Sequence, residues 1–388
     1  MKILLKLMFF VLFVIVLAIV IGYARGYRFD IEKKSLKSTG IISLTSNPKA
    51  AKIYVNGELK GVTDTNLTLP PENYFVEIKK EGYTSWSKQI NLKGELVINI
   101  DPVLFPVNPS LSPLTNLGII KAFPTDDGDK IVVIASGSAY LFDAGKKTLP
   151  FFPPLNKIVD LSLLPNISDY TNVKVSFSPN QKEIILESEK NSYLFSLEEN
   201  NLSPLEVTMS KESLFQAWKI EENKNNAKIL ETFPKEFEKI ASASFEIISF
   251  SPSETKILYR AKESVELPLM INPPLISTNQ TSEERLLIKE KIYVYDRKED
   301  KNFLLLTDPT PYHLPPNIKW YFDSRHFVVE EKNKISIVDY DNTNKQTIYS
   351  GPFESSFFNP TIDGKIIVLI NLNSQVNELP DLYLVGIR

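Results

Sequence analysis

Every residue from Leu7 to Ile21 is apolar, and no charge lies between Lys6 and Arg25. As a helix, the uncharged stretch from Leu7 to Ala24 spans about 27 Å at ~1.5 Å per residue. That nearly covers a hydrocarbon core of about 30 Å, and the stem of Lys6 can snorkel to supply the rest. The segment reads as a transmembrane anchor. A cleaved signal peptide is the alternative, with Lys2 and Lys6 ahead of the apolar run and Gly22 and Ala24 behind it. Arg25, Arg28, Lys33, Lys34 and Lys37 follow the run, a count that opposes export of what comes after. Long domains translocate largely regardless of flanking charge. The expected topology is therefore a cytoplasmic N-terminus and an extracytoplasmic ectodomain.

Beyond a polar tether at 25–39 the pattern changes to short apolar runs with strand periodicity. Runs at 41–45, 52–55, 67–69, 74–78, 86–92 and 96–100 are cut by Pro48, Asn56-Gly57, Gly61, Pro70-Pro71 and Gly82. Asn56-Gly57 is the strongest hairpin signal, because both central residues of that turn need positive φ. About sixty residues built this way, 40–101, predict a small β-sandwich. Four prolines in PVLFPVNPSLSP exclude a helix and predict a semi-rigid linker over 102–114.

A loose repeat occupies 115–388. One half is a Phe-Ser-Pro turn before an apolar run, as in Phe177-Ser-Pro-Asn180 before Glu183-Ile-Ile-Leu186 and Phe250-Ser-Pro-Ser253 before Lys256-Ile-Leu-Tyr259. Degenerate copies begin at Phe123, Phe322 and Phe358. The other half is a strand that often ends in Asp, as at Asp143, Asp296 and Asp339. Repeated units that bury their faces against one another predict a β-propeller of about five to seven blades. In each turn the Phe is expected to be the buried anchor and Ser178 or Ser251 to be dispensable. Near-helical spacing around 227–240, with Pro234 at a helix start, predicts one short helical insertion. A proline-containing loop at 266–290 completes the layout: mainly β, with an N-terminal transmembrane helix.

Two resemblances fit these patterns. Residues 40–101 resemble the PEGA domain. Pro48-Lys49-Ala50-Ala51 stands at its name-giving tetrapeptide, followed in order by Lys52-Ile-Tyr-Val-Asn-Gly57, Gly61-Val-Thr63, Leu69-Pro70, Tyr74-Phe-Val76, Gly82-Tyr83 and Trp86. Residues 115–388 resemble the WD40-like or TolB-type propeller, whose turn is Ser-Pro-Asp-Gly. The first resemblance implies a cell-surface setting and the second a binding role.

Composition narrows the chemistry. Lys+Arg 44 against Asp+Glu 47 leaves a net charge of -3, so there is no basic footprint for nucleic acid. Without cysteine there is no disulfide, thiolate site or Cys nucleophile. No nucleophile elbow, Walker loop, His-Glu-x-x-His or dinucleotide fingerprint occurs. A Ser-His-Asp triad would need His313 or His326, and both read as loop histidines. Asp126-Asp127-Gly128-Asp129 and Asp339–Asn344 could offer oxygen ligands to calcium, but both fall on turns, where Asp and Gly serve the backbone. Sequons at Asn66, Asn166, Asn201 and Asn279 are what an Asn-rich chain supplies by chance. No catalytic residue, cofactor or metal site is assigned. The expected function is a non-catalytic surface protein, anchored by the helix from Leu7 to Ala24, whose propeller binds an envelope protein or polysaccharide. A propeller hydrolase with an unrecognised site and a purely structural envelope component are the alternatives.

Overall fold

The computed structural model describes residues 2–24, 27–30, 35–125, 127–145, 155–164, 170–276, 279–306, 318–355, 357–372 and 378–387. Helix α1 (Lys2–Ala24) is long and apolar enough to cross a membrane, and its apolar side chains from Leu5 to Tyr23 are exposed. The expected tether holds a short antiparallel pair, β1 (Tyr27–Asp30) with β2 (Ser35–Ser38). The chain divides into two compact units: Met1–Phe105 with Ile271–Ser282, and Pro106–Met270 with Glu283–Arg388.

In the first unit, β3 (Gly40–Leu44), β4 (Lys52–Val55), β5 (Glu58–Val62), β6 (Thr65–Leu69), β7 (Glu72–Lys79), β8 (Trp86–Leu92) and β9 (Val97–Ile100) form two sheets. Their orders are β6-β3-β9 and β5-β4-β7-β8, with β3 and β9 parallel. Alternate residues point inward, so Ile42, Leu44, Ile53, Val55, Val76, Ile78, Ile90 and Ile98 make one core. Each such side chain contributes roughly 1.5–3 kcal/mol on burial. Gly61, expected in a turn, instead lies within β5 at a register shift opposite Ile53 and Tyr54. Gln280, from the proline-containing segment, donates to Asn91 O (3.1 Å) and accepts from Asn91 N (2.6 Å), pairing the outward backbone groups of one residue of edge strand β8.

The proline-rich stretch is divided. Leu104 and Phe105 are buried, with Leu104 in the first unit's core, whereas Ser110–Pro113 is strand β10 of the second unit. Proline fits there because β10 is an edge strand.

Among the described residues the second unit holds five four-stranded antiparallel sheets, the blades of a propeller. Blade 1 is β11 (Ile119–Pro124), β12 (Lys130–Ala135), β13 (Ser138–Asp143) and β14 (Leu155–Asp160). Blade 2 is β15 (Lys174–Phe177), β16 (Glu183–Glu187), β17 (Ser192–Ser196) and β18 (Leu205–Glu206). Two helices then intervene, α2 (Lys211–Leu230) and α3 (Lys235–Ser244). Blade 3 is β19 (Phe245–Phe250), β20 (Lys256–Ala261), β21 (Ile292–Asp296) and β22 (Lys301–Leu306). Blade 4 is β23 (Ile318–Trp320), β24 (His326–Glu331), β25 (Lys334–Asp339) and β26 (Gln346–Tyr349). Blade 5 is β27 (Phe358–Pro360), β28 (Ile366–Ile370) and β29 (Asp381–Gly386), with β10 as its fourth strand.

Middle strands are buried on both faces. Ile131 and Val133 pack on Ile367 and Leu369 of blade 5, while Val132 and Ile134 pack on Ile184 and Leu186 of blade 2. Leu258 and Val294 meet Phe327 and Val329 in the same way. The opposite face of blade 3 is covered by helix instead: Phe237 of α3 stacks on Tyr295 at 3.9 Å and packs with Ile257 and Tyr259.

The first turn of each blade has one geometry despite its varied sequence. Gly128, Gln181, Glu254, Ser324 and Gly364 all have positive φ. A buried hydroxyl closes four of these turns. The N–H groups of Lys130, Glu183, Lys256 and Lys365 donate to Thr125, Ser178, Ser251 and Thr361 at 3.0–3.1 Å. In blade 4, Asp323 Oδ1 accepts from His326 N instead (3.2 Å). The aromatic-anchor expectation is therefore reversed, for Ser178 and Ser251 are each 2% exposed whereas Phe177 and Phe250 are half-buried. A turn donor withdrawn from water needs its acceptor, whereas an inner-edge ring keeps one side open.

This geometry predicts that Ser178→Ala costs about 1–3 kcal/mol, since Glu183 N–H loses its acceptor. Phe177→Ala should cost less than the 3–5 kcal/mol of a core aromatic deletion. Urea unfolding of the two variants decides the order.

In the first unit Ala50 holds φ +57° at the third position of Pro48-Lys49-Ala50-Ala51, and its side chain is exposed. Ala50→Gly should therefore stabilise the unit by about 0.5–1 kcal/mol, relieving a left-handed cost of ~1–2 kcal/mol against added unfolded-state entropy. Gly57→Val should do the opposite, by about 1–2 kcal/mol, through backbone strain alone. Gly57 has φ +83°, and a Cβ added there would meet no atom within 4 Å. Equal melting temperatures for Ala50→Gly and the parent would contradict the first expectation.

Candidate functional site

Turn-to-turn hydrogen bonds join neighbouring blades. Lys130 Nζ donates to Gln181 O (3.2 Å), Ser253 N to Ser324 Oγ (2.9 Å), Tyr321 Oη to Gly364 O (2.7 Å) and Asn359 Nδ2 to Gly128 O (2.7 Å). At the remaining junction, between blades 2 and 3, the chain inserts α2 and α3. A cavity of about 280 Å³ opens there between the blade 2 turn and α2. Phe177, which also packs on the core between blades 1 and 2, lines it on one side, and Phe215 and Trp218 line it on the other. The last two rings stand edge to face, 6.0 Å apart at 66°. Ser176, Gln181 and the Lys219–Glu222 ion pair (3.0 Å) supply the polar rim. Ser176 Oγ and the Gln181 side-chain amide make no hydrogen bond to another described residue, so both remain open to a ligand.

Sequence reasoning singled out Phe177 only as a turn anchor and assigned no site residue here, because most of α2 was not foreseen. Its apolar residues fall on no single face, so helical periodicity gives no signal before Ala227. Weaker signs were present: Ser210 at the N-cap, Glu212 in the first turn, Lys228 in the last, and twenty residues without Gly or Pro. The expected short insertion is thus a helix pair, and Pro234 is the N-cap of its second member.

Of the two histidines, His313 lies outside the described residues. His326 is buried at the start of β24, with Nδ1 2.7 Å from Asp323 Oδ2 and Nε2 3.2 Å from Asp339 Oδ1. Burial alone would lower its pKa. The hydrogen bonds to Asp323 and Asp339 overcome that and raise it to about 9. Asp323 is buried too, which opposes its charge, yet the His326 contact holds its carboxyl below the usual range. The same register position in blade 3 carries Lys256, buried and 3.1 Å from Asp296, with its ammonium over the Tyr340 ring. In blade 1 Lys130 stands opposite Asp143. The Asp that ends the third strand in blades 1, 3 and 4 thus stands opposite a cation at the start of the second, and His326 occupies that cation's place.

The acidic turns are largely occupied in the same way, although Asp129 Oδ1 is buried without a hydrogen-bond partner among the described residues. Asp126 lies outside the described residues. Asp127 Oδ1 accepts from Thr125 Oγ1 (2.7 Å) and Asp129 N (3.0 Å). Burial, then Asp127 and Asp143, push the Asp129 carboxyl up. Asp339 Oδ2 accepts from Asn344 Nδ2 (2.9 Å), and Asp341 Oδ1 from Thr343 Oγ1 (2.6 Å). Among the described residues no group of three or more His, Asp or Glu could hold a metal ion. Asn166 lies outside the described residues. Asn66 sits in β6, Asn201 bonds Ile158 O, Ser196 O and Ser196 N, and Asn279 accepts from Thr281 N.

The PEGA domain family model matches residues 39–108. None of the curated proteins matches the chain. Among solved structures, the chain is similar to a protein described as putative TolB from Agrobacterium tumefaciens, at 12% identity over 67% of this chain and 76% of that one, with a TM-score of 0.22. The AfRom2 CNH domain is similar at 11% identity over 72% and 99%, TM-score 0.29. The tricorn protease is similar at 12% over 78% and 22%, TM-score 0.20. Scores this low carry no argument, and the propeller rests on the five sheets described above. The chain thus carries a PEGA domain at residues 39–108 and, after it, a β-propeller built from the five four-stranded sheets.

Proposed function

We propose that this is a single-pass membrane protein whose N-terminus is cytoplasmic and whose PEGA domain and propeller are extracytoplasmic. On this reading the propeller binds an envelope component and catalyses no reaction. The cavity between blade 2 and α2 carries the proposal. It keeps three half-buried aromatic rings and two uncommitted polar groups at a surface where a merely structural junction would cover them. Against catalysis by His326, both its ring nitrogens are directed at carboxylates and its pKa is raised to about 9, so it is not a free base near neutral pH. Ser178 and Ser251, the hydroxyls of the repeat, close turns.

Protease added to intact cells should remove both folded regions, while the anchor stays in the membrane at high salt. The detergent-solubilised full chain should also co-sediment with the detergent-insoluble envelope fraction, and Trp218→Ala should reduce that retention about tenfold or more. Complete protection in intact cells would mean that Arg25, Arg28, Lys33, Lys34 and Lys37 set the topology. Retention indifferent to Trp218→Ala would remove the binding role from this cavity.

The structural reading of His326 has its own pH signature. Its folded pKa of about 9 exceeds the unfolded ~6.5, so its contribution is fully present below about pH 6.5 and is lost as pH rises through about 9. His326→Ala should cost about 3 kcal/mol at pH 6 and much less at pH 10, because it strands Asp323 and Asp339 without their cation. His326→Lys should recover part of the loss, as Lys256 serves blade 3. Urea unfolding at the two pH values measures both. An activity abolished by His326→Lys at unchanged stability would establish a catalytic role instead.

A further inference from the structure

We propose that the cavity between the blade 2 turn and α2 binds a neutral saccharide, an inference that rests on the binding role proposed above. The argument is one of chemical complementarity. A pyranose ring presents a face of C–H bonds and a rim of hydroxyls that both donate and accept. The cavity offers the matching pair. Phe215 and Trp218 stand at 66° and line the cavity together with Phe177 of blade 2, so C–H bonds of a ring bound there meet aromatic carbon. Around these rings stand a hydroxyl at Ser176 and an amide at Gln181. Each can donate and accept, and neither is committed to a described residue.

Other ligand classes fit less well. A lipid chain would leave the Gln181 amide and the Lys219–Glu222 pair desolvated without compensation. A cationic ligand would need a carboxylate in surplus, but Glu222 is neutralised by Lys219 at 3.0 Å. An anionic ligand would meet the same pair in reverse, with Lys219 already engaged. A neutral polyol can bond to both members without disturbing their balance. The volume of about 280 Å³ lies at the small end of ligand sites and holds about one or two sugar rings. A longer glycan could continue outward from the opening.

The test uses the full-length protein in a detergent without a sugar headgroup, titrated with cellotetraose, N-acetylchitotetraose and α-mannotetraose. Calorimetry gives the affinity, and tryptophan emission reports on Trp218. At least one saccharide should bind in the micromolar-to-millimolar range. Trp218→Ala should weaken it about tenfold or more, and Gln181→Ala about threefold to tenfold, without shifting the melting temperature. Trp218→Phe, which keeps a ring and the helix, should retain affinity within about fivefold. Absence of binding by all three sugars at millimolar concentration would overturn the saccharide assignment. So would affinity unaltered in both Trp218→Ala and Gln181→Ala. If envelope retention falls with Trp218→Ala yet no saccharide binds or competes, the binding role stands and the ligand class is wrong. Retention that ignores the substitution defeats both.

Discussion

The second strand of every blade buries apolar residues at its centre on both faces, and those residues cannot be left to water. This constraint organises the propeller. In β12 the even and odd residues serve different neighbours, Val132 and Ile134 on one side and Ile131 and Val133 on the other. Blade 5 therefore must return to blade 1, and the ring closes through β10, which precedes the first blade in sequence and pairs with β29 of the last. Asp381 accepts from Thr115 Oγ1 (2.9 Å) and Leu117 N (2.7 Å), while Thr115 Oγ1 in turn accepts from Leu382 N (2.9 Å). Bonds between residues more than 260 positions apart fix the ends of the ring once the loop-closure entropy has been met.

Where two blades do not meet face to face, something else must cover the apolar surface. Between blades 2 and 3 that cover is α3 with the end of α2, and the aromatic stack of Phe237, Tyr295, Phe245 and Tyr259 is the result. The rest of α2 runs past the blade 2 turn without filling the space beside it. The cavity with Phe177, Phe215 and Trp218 follows from this exchange of a blade-to-blade contact for a helix.

Electrostatics reinforces the individual blades. A cation at the start of the second strand facing Asp at the end of the third recurs as Lys256–Asp296 and His326–Asp339. Removal of either partner from such a buried pair leaves an uncompensated charge, so the pairs constrain sequence more strongly than their net stabilisation suggests. The first turn of each blade tolerates wider variation. Gln181, Glu254 and Ser324 adopt the positive φ that Gly128 and Gly364 hold more easily.

The sequence by itself determined the apolar N-terminal helix, the hairpin at Asn56-Gly57, most strands of the PEGA domain and the repeat of turn and strand. These features depend on local periodicity and on turn residues whose backbone preferences are intrinsic. Tertiary structure alone decided which residue of each Phe-Ser-Pro turn is buried, since that depends on the inner edge of the blade and not on hydrophobicity. It also decided that 110–113, read as linker, completes the last blade, because a strand partner about 270 residues away leaves no local trace. The same reason hid the cavity. Phe215 and Trp218 lie on a helix with no apolar face of its own, and they acquire a role only where blade 2 brings Phe177, Ser176 and Gln181 opposite them.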